Sequence, residues 1–298
     1  MEEVLFALWA VAILGPLIWA WKEKASISMA LTLSLLLGYI VQLIWNWTGY
    51  YYLVSHLWMV PNDVLNSGEF YTLITSGFIH DPFSPLHVLG NIIIIALVGI
   101  PLEERLGRGR WLLIYFTGLL GGSIAWTIAN SDSFNPALGA SGAAFGILGA
   151  YLAGWPNDEV LFPFILIRKW PVSWIALIYF GLEVINAWKV YGFSELSSVA
   201  HMAHLGGFLA TYLALPLVRK GTTWEGEIEM KELPFDHPFD GFDDIVARLR
   251  EEGDEKETRQ AWMEELALKS SCPICGGELG VNRLQIICET NKSHLSWP

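Results

Sequence analysis

Long apolar stretches constrain this chain more than any other feature of its sequence. A helix that crosses the hydrocarbon core of a bilayer, about 30 Å thick, needs about 20 consecutive apolar residues. The chain is 53% hydrophobic with a mean hydropathy of +0.40, and its apolar residues are clustered. Seven runs are predicted to cross a membrane: residues 4–21, 26–48, 84–101, 111–130, 141–155, 172–190 and 198–218. These runs predict an all-α polytopic membrane protein.

Charge divides the chain into two regions. Residues 1–220 carry 10 Lys/Arg and 13 Asp/Glu, whereas residues 221–298 carry 8 Lys/Arg and 17 Asp/Glu. The tail therefore supplies −9 of the net charge of −12, which predicts a water-facing segment. Because binding to phosphates needs a basic surface, nucleic acid is not an expected partner.

The basic residues predict an orientation in the bilayer. If the N-terminus lies outside, nine of the ten Lys and Arg residues of 1–220 fall on one face and only Lys189 falls on the other. Since cytoplasmic loops are enriched in Lys and Arg, this predicts a cytosolic tail. We expect a multi-pass protein of a prokaryotic cell membrane, with the lipid bilayer as its surroundings.

Two segments near the N-terminus complete this topology. The run at 4–21 lacks the basic start and the small-residue cleavage site of a signal peptide, which favours a retained helix. Residues 49–83 fall on the outer side but are rich in aromatic and aliphatic residues. We expect them to lie in the membrane interface as short amphipathic helices.

Three polar clusters interrupt the apolar runs near their outer ends. His87 and Asn91 stand four residues apart and so share a helix face, as do His201 and His204, three residues apart, while Ser141 begins its run. Taken alone, Ser141 is more typical of helix packing than of catalysis, and Asn91 of interhelical hydrogen bonding. Polar groups from three helices at one membrane depth favour a functional site.

Small residues allow the helices that carry these clusters to approach closely. They form one face on each of two runs: Gly142, Gly146 and Gly149 on the first, and Ala200, Ala203, Gly207 and Thr211 on the second. Close packing would bring Ser141 within hydrogen-bond reach of His204. A serine hydroxyl and an imidazole at that distance can act as nucleophile and general base.

Together these motifs identify the chain as resembling the rhomboid intramembrane serine proteases. The resemblance runs from about residue 68 to 215 and includes GEFYTLITSGFIH, HVLGN, LEERLG, GASG and AHLGG, in the order and spacing of the family. It implies a six-helix core, from residues 26–48 through 198–218, with an extra N-terminal transmembrane helix. It also implies a Ser–His dyad that hydrolyses transmembrane protein substrates near the outer face, at small residues, without a cofactor.

The resemblance assigns roles by motif position. Ser141 is the nucleophile and His204 is the general base, while His87 and Asn91 donate to the oxyanion beside the Ser141 backbone N–H. Gly139 lets the backbone approach the substrate. Phe145 is expected to pack against the histidine, and Glu103 and Arg105 to belong to a structural polar network on the cytosolic side. Apart from the resemblance, His80 and His201 are expected to line the same cavity.

Three other residues, Tyr71, Thr72 and Glu183, are expected to have no catalytic role. Tyr71 and Thr72 stand where the family often carries Trp-Arg, which puts the anchoring of the outer loop in doubt rather than catalysis. Glu183 lies inside the run 172–190, where local polarity or a pairing role is expected rather than catalysis.

Two alternatives compete with the protease. A catalytically silent rhomboid-like protein could bind transmembrane clients with the same fold. His80, His87, His201 and His204 could instead form an intramembrane metal site, but Ser141 and Asn91 would then have no function.

The tail carries a second candidate site. Cys272, Cys275, Cys288 and His294 form the pattern Cys-x2-Cys-x12-Cys-x5-His, which is typical of a zinc ribbon with one tetrahedral site. Three free or buried thiols are the alternative. The predicted divisions are an N-terminal helix at 1–25, the membrane domain at 26–220, an acidic linker and helix at 221–270, and the zinc-ribbon-like module at 271–298. The sequence does not predict which protein binds the cytosolic tail.

Overall fold

The computed structural model describes residues 1–163, 167–197, 199–219, 233–253, 256–282 and 284–298. Ser198, Lys220 and residues 221–232 of the predicted linker lie outside the described residues. The chain divides into two compact units, Met1–Thr222 and Thr223–Pro298. Each unit is described separately.

The first unit is built almost entirely of helices. Its α-helices are α1 (Glu2–Glu23), α2 (Ile27–Trp47), α3 (Pro61–Asn66), α4 (Thr72–Thr75), α5 (Pro85–Leu97), α6 (Gly99–Leu106), α7 (Arg108–Ala129), α8 (Ser141–Gly154), α9 (Val172–Phe193) and α10 (His201–Val218). The 3₁₀ helices Tyr51–His56 and Ser76–Phe78 and the antiparallel strands β1 (Glu159–Pro163) and β2 (Ile167–Pro171) complete it.

Every predicted run coincides with a helix in this unit. Among the described residues, five segments are long and apolar enough to cross a membrane: α1, α2, the continuous stretch Pro85–Leu106, α7 and α10. Helix α8 is shorter, at 14 residues, and α9 is 22 residues long but carries Glu183 and Lys189 within its length. The fold is therefore that of a multi-pass integral membrane protein.

Helix α1 packs along α2. The Ser34 hydroxyl donates to the Ile13 carbonyl at 2.7 Å, and Trp9 and Trp45 lie with ring centroids 6.3 Å apart. Gly38 permits this contact, because a Cβ on Gly38 would lie 2.5 Å from the Ile13 side chain. The predicted run 4–21 therefore packs against the second helix.

The closest helix contacts join α7, α8 and α10. A Cβ on Gly207 of α10 would lie 2.1 Å from the Gly142 carbonyl oxygen and 2.8 Å from that of Gly118. A Cβ on Gly122 of α7 would lie 2.6 Å from the Ala203 carbonyl oxygen. The small faces of α8 and α10 were expected, whereas the contribution of α7 was missed. Its signal was the small-xxx-small spacing of Gly118 and Gly122.

Glu103 in α6 fixes the start of α2. Its carboxylate accepts hydrogen bonds from the Ser26 hydroxyl at 2.7 Å and from the backbone N–H groups of Ile27 and Ser28 at 2.8 Å each. The first N–H groups of a helix have no partner within it, so the carboxylate satisfies them. The expected structural role of Glu103 is confirmed.

Residues 49–83 hold the segment that leads into α8. They contain the short helices α3 and α4 and the two 3₁₀ helices, so the expected short helices are present, while their placement in the membrane interface stays a prediction. Met59 pairs with Ala137 through two backbone hydrogen bonds of 3.0 and 2.8 Å, and the Gly139 N–H donates to the Ser76 carbonyl at 2.8 Å. This connection therefore positions the turn just before Ser141.

The β-hairpin between α8 and α9 was not predicted. Its strands pair from Glu159 with Pro171 to Pro163 with Ile167. Arg105 holds its base through a bidentate ion pair with Asp158, at 2.9 and 3.0 Å. The aromatic and branched residues from Val160 to Trp170 were a strand signal that the apolar runs on either side obscured.

In the part of the second unit that the structure describes, two helices combine with a small sheet. It contains α11 (Asp243–Glu252), α12 (Lys256–Lys269), β3 (Leu279–Asn282), β4 (Gln285–Cys288) and β5 (Ser296–Trp297), with the strands antiparallel in the order β3-β4-β5. Val246, Leu249, Met263, Leu266 and Trp297 are all buried in one apolar cluster. Helices and sheet thus share a core.

Candidate active site

Ser141 is the first residue of α8. The turn before the helix contains Gly139, which has a φ of +113°, and Ala140 precedes the first helical residue. The N–H groups of a first helical turn, that of Ser141 included, have no partner within the helix. They give the helix start a partial positive charge close to the serine hydroxyl.

His204 lies directly opposite this hydroxyl. Its Nε2 atom is 2.7 Å from Ser141 Oγ, although the two residues are 63 positions apart in the chain. His204 belongs to the first turn of α10, which the glycine contacts hold against α8. The distance lies within the range of a hydrogen bond between a nucleophile and its base.

Phe145 fixes the plane of the His204 ring. The two rings are parallel within 6°, and their centroids are 4.4 Å apart. Phe145 follows Ser141 by one helical turn, so its ring lies on the same face of α8. The stacking leaves Nε2 directed along the ring edge toward the hydroxyl.

His87 lies close to the turn at Gly139. A Cβ on Gly139 would lie 2.6 Å from His87 Nε2 and 3.7 Å from Asn91 Nδ2. The positive φ and this contact both exclude a side chain at position 139. Gly139 therefore brings the backbone before Ser141 up to the two expected oxyanion donors.

Asn91 is oriented by His80 beneath it. His80 Nε2 lies 3.0 Å from Asn91 Nδ2 and accepts the Ala140 N–H at 3.3 Å. An amide nitrogen carries two N–H groups, so one is held by His80 and the second remains for an oxyanion. His80 is fully buried, and the structure places it behind Asn91, whereas the sequence suggested that it lines the cavity.

Glu183 of α9 reaches the same site. Its Oε2 atom lies 2.6 Å from His201 Nδ1 and 3.0 Å from His204 Nδ1. The sequence suggested a pairing role for Glu183 but did not identify His204 as a partner. The signal was a single carboxylate inside an apolar run, which is costly unless a partner lies nearby.

The histidines do not gather into one metal site. Within the described ranges, His201 and His204 form a group with Glu183, with one ligand atom from each within 4.8 Å of the others. His80 and His87 do not join that group, and their rings lie 5.3 Å apart. The structure thus does not assemble the four-histidine alternative.

Comparison with known proteins identifies the family. The family model for the Rhomboid domain matches residues 67–221, just over half of the chain. The chain belongs to the rhomboid family. The match contains all of the residues around Ser141 and His204 described above and excludes the C-terminal unit.

Related rhomboids come from plants and bacteria. RHOMBOID-like protein 5 of Arabidopsis thaliana is 33% identical over 152 residues, which cover 50% of this chain and 44% of that protein. Rhomboid protease GluP of Bacillus subtilis is 30% identical over 153 residues, covering 51% and 27%. YdcA of the same bacterium is 34% identical over 154 residues, covering 50% and 69%. The chain spans less than half of the first two relatives. Other relatives come from Arabidopsis thaliana and from Saccharomyces cerevisiae, so the comparison does not support the predicted prokaryotic origin.

This rhomboid carries a second polar cluster in its C-terminal unit. The ligand atoms of Cys272, Cys275, Cys288 and His294 all lie within 4.8 Å of one another. The Sγ atoms of Cys275 and Cys288 are 3.6 Å apart, and Cys288 Sγ is 4.0 Å from His294 Nδ1. Tetrahedral bonds of about 2.3 Å place two sulfur ligands about 3.8 Å apart, so the donor set fits a zinc ion.

Local backbone geometry supports this cluster. The Gly276 N–H donates to the Cys272 carbonyl at 2.7 Å, and Gly276 has a φ of +68°. Hydrogen bonds from the Asn291 backbone N–H, and after it from the Cys275 and Cys272 thiols, lower the pKa of the Cys288 thiol to about 6. A thiol with that pKa is mostly thiolate at neutral pH, which is the form that binds metals.

Proposed function

We propose that this rhomboid is an intramembrane serine endopeptidase that hydrolyses peptide bonds of transmembrane protein substrates near the outer membrane face. The observation that carries the proposal is the 2.7 Å contact between Ser141 Oγ and His204 Nε2. A pair that served only helix packing would not need the ring stacking and the donor-lined turn that surround it.

The reaction follows from this geometry. Ser141 Oγ attacks the scissile carbonyl carbon while His204 Nε2 takes the hydroxyl proton. The negative oxygen of the tetrahedral intermediate accepts from the Ser141 N–H, from His87 and from the free N–H of Asn91. His204 then gives its proton to the leaving amine, and the C–N bond breaks to leave an acyl-enzyme.

Water completes the cycle. His204 Nε2 accepts a proton from a water molecule as that water attacks the acyl carbon, and the second tetrahedral intermediate uses the same donors. Its collapse breaks the bond between the acyl carbon and Ser141 Oγ, returns the proton to Ser141 Oγ and releases a carboxylic acid, which loses its proton to water. No cofactor takes part in these steps.

The rest of the molecule fits this proposal. The distribution of Lys and Arg favours an N-terminus outside and a cytosolic tail, which puts the starts of α5, α8 and α10 toward the outer face. Cys272, Cys275, Cys288 and His294 would hold a structural zinc ion that stabilises the C-terminal unit. The partner of that unit is a protein of unknown identity.

The test is cleavage of a transmembrane reporter by the full chain in liposomes. We expect Ser141→Ala to abolish cleavage and labelling by a fluorophosphonate, and Ser123→Ala to keep both. Ser123 is a matched control because its buried hydroxyl donates to the Leu73 carbonyl on α4, away from His204. Cleavage by Ser141→Ala would refute the serine mechanism, and a wild-type protein that binds the reporter without cleaving it would indicate the silent client-binding protein.

A further inference from the structure

The carboxylate of Glu183 is the one acidic group described within α9. Its side chain is 13% exposed, and those of His201 and His204 are 8% and 10% exposed. A carboxylate in an apolar helix is costly and persists where a partner compensates for it. The burial of the Glu183 carboxylate is therefore compensated by the two imidazoles.

One carboxylate oxygen serves both histidines. Glu183 Oε2 lies 2.6 Å from His201 Nδ1 in a hydrogen bond, and 3.0 Å from His204 Nδ1. The second contact has the distance of a hydrogen bond without its alignment. Catalytic hydrogen bonds are often misaligned before substrate binds and tighten in the complex.

The position of the carboxylate favours the tautomer of His204 that can act as a general base. A neutral imidazole carries its proton on one nitrogen and a lone pair on the other. Proximity to Glu183 Oε2 favours the proton on Nδ1, which leaves the lone pair on Nε2 facing Ser141 Oγ. The same negative charge stabilises the imidazolium that forms when Nε2 accepts the serine proton.

We propose that Glu183 is a positioning residue that orients and electrostatically supports His204, so that Ser141, His204 and Glu183 act as a triad spread over three helices. This inference rests on the proposed function and adds a third member to the Ser–His pair. A base oriented by a third group is a general arrangement for activating a nucleophile. His201 holds the carboxylate in place, and the Ser197 hydroxyl lies 3.0 Å from His201 Nε2.

A purely structural role makes a different prediction. If Glu183 only joined α9 to α10, its hydrogen bond to His201 would be sufficient, and a glutamine could accept the same bond through its amide oxygen. If Glu183 supports His204, catalysis requires the negative charge, and a glutamine at position 183 should lower kcat. Glu183→Gln keeps the size and the acceptor but removes the charge, so it separates the two roles.

The experiment compares wild type, Ser141→Ala, Glu183→Gln, Glu183→Asp and His201→Gln, as full chains in liposomes with the reporter. For Glu183→Gln we expect kcat to fall by about 10²-fold or more, with KM within about twofold, because the charge acts in the transition state. Glu183→Asp should recover part of this loss. His201→Gln should lose less than Glu183→Gln, and both Glu183 variants should keep wild-type thermal stability.

Several outcomes would overturn the assignment. These are a wild-type kcat in Glu183→Gln, a loss that Asp does not relieve, and a loss accompanied by lower thermal stability. Because Glu183, His201 and His204 could also hold a metal, cleavage that stops with a chelator and returns with zinc would overturn it as well. If Ser141→Ala is inactive while Glu183→Gln is fully active, only the assignment of Glu183 fails; if wild type does not cleave, the proposed function fails with it.

Discussion

The two units of this protein assemble their polar sites in opposite ways. In the membrane unit, Ser141 and His204 are 63 residues apart and meet because glycine-lined helices pack closely. In the C-terminal unit, four candidate ligands lie within one stretch, from Cys272 to His294, around a hairpin. The first site is a product of a fold that is already stable, whereas the second would itself stabilise its fold. This comparison is tested by changes that affect one site and leave the fold of the other unit intact.

Metal removal should give the largest effect. Structural zinc sites contribute about 10–16 kcal/mol of apparent binding free energy, which appears as folding free energy. We expect a strong chelator to abolish hydrogen-exchange protection in β3, β4 and α12 of the full chain. Peptides from α7 and α8 serve as the internal control and should keep their protection.

Cys288→Ser should reproduce this loss without a chelator, since it removes one ligand while keeping the size of the side chain. Unchanged protection in a protein shown by elemental analysis to contain no zinc would contradict the structural role of the metal.

Loss of an oxyanion donor should give the next largest effect. Removal of one such donor typically costs about 10²–10³ in rate, or about 2.7–4 kcal/mol. We therefore expect Asn91→Ala to lower kcat by that factor with little change in KM. Gln285→Ala in the C-terminal unit, which removes an amide that donates to the Pro298 carbonyl, is the control and should leave kcat unchanged. Equal kcat values for the two variants would remove Asn91 from the oxyanion site.

Addition of a methyl group at a helix contact should lower the free energy of unfolding by less than metal removal does, and should reduce activity by less than loss of an oxyanion donor does. It should affect the membrane unit alone. The Cβ of Gly207→Ala would lie 2.1 Å from a backbone oxygen, so α8 and α10 must separate. Overpacking of this kind costs about 1–3 kcal/mol or more. We expect a lower melting temperature and reduced labelling of Ser141.

Gly15→Ala is the matched control for this change. It adds the same methyl group to α1, where a Cβ would meet nothing within 4 Å. Wild-type labelling and stability in Gly207→Ala would show that the glycine contacts do not assemble the site.

How far the sequence predicts each site follows from the same contrast. The apolar runs predicted the helices because bilayer thickness fixes their length, and the cysteine spacing predicted the second cluster because its ligands are local. The hairpin at 159–171 was missed because its apolar residues continue those of the neighbouring helices. The contact between Glu183 and His204 was missed because it depends on the rotation of α9 about its own axis. An amphipathic pattern would indicate that rotation, but α9 is apolar on most sides and has no such pattern.

Loss of one interhelical hydrogen bond should give the smallest effect. The buried Thr211 hydroxyl on α10 donates to the Gly146 carbonyl on α8 at 2.6 Å. Such bonds contribute about 0.6 kcal/mol on average between membrane helices. We expect Thr211→Val, which keeps the shape of the side chain, to lower the melting temperature slightly and to leave kcat unchanged.

Thr32→Val on α2 provides the control for this prediction. The Thr32 hydroxyl donates to the Ser28 carbonyl of its own helix at 2.9 Å, so its loss does not loosen a contact between helices. A difference between the two variants in thermal unfolding would assign the effect to the α8–α10 contact. Equal shifts in melting temperature would mean that the Thr211 hydrogen bond between α8 and α10 contributes no more than the Thr32 hydrogen bond within α2. The glycine contacts alone would then hold Ser141 beside His204.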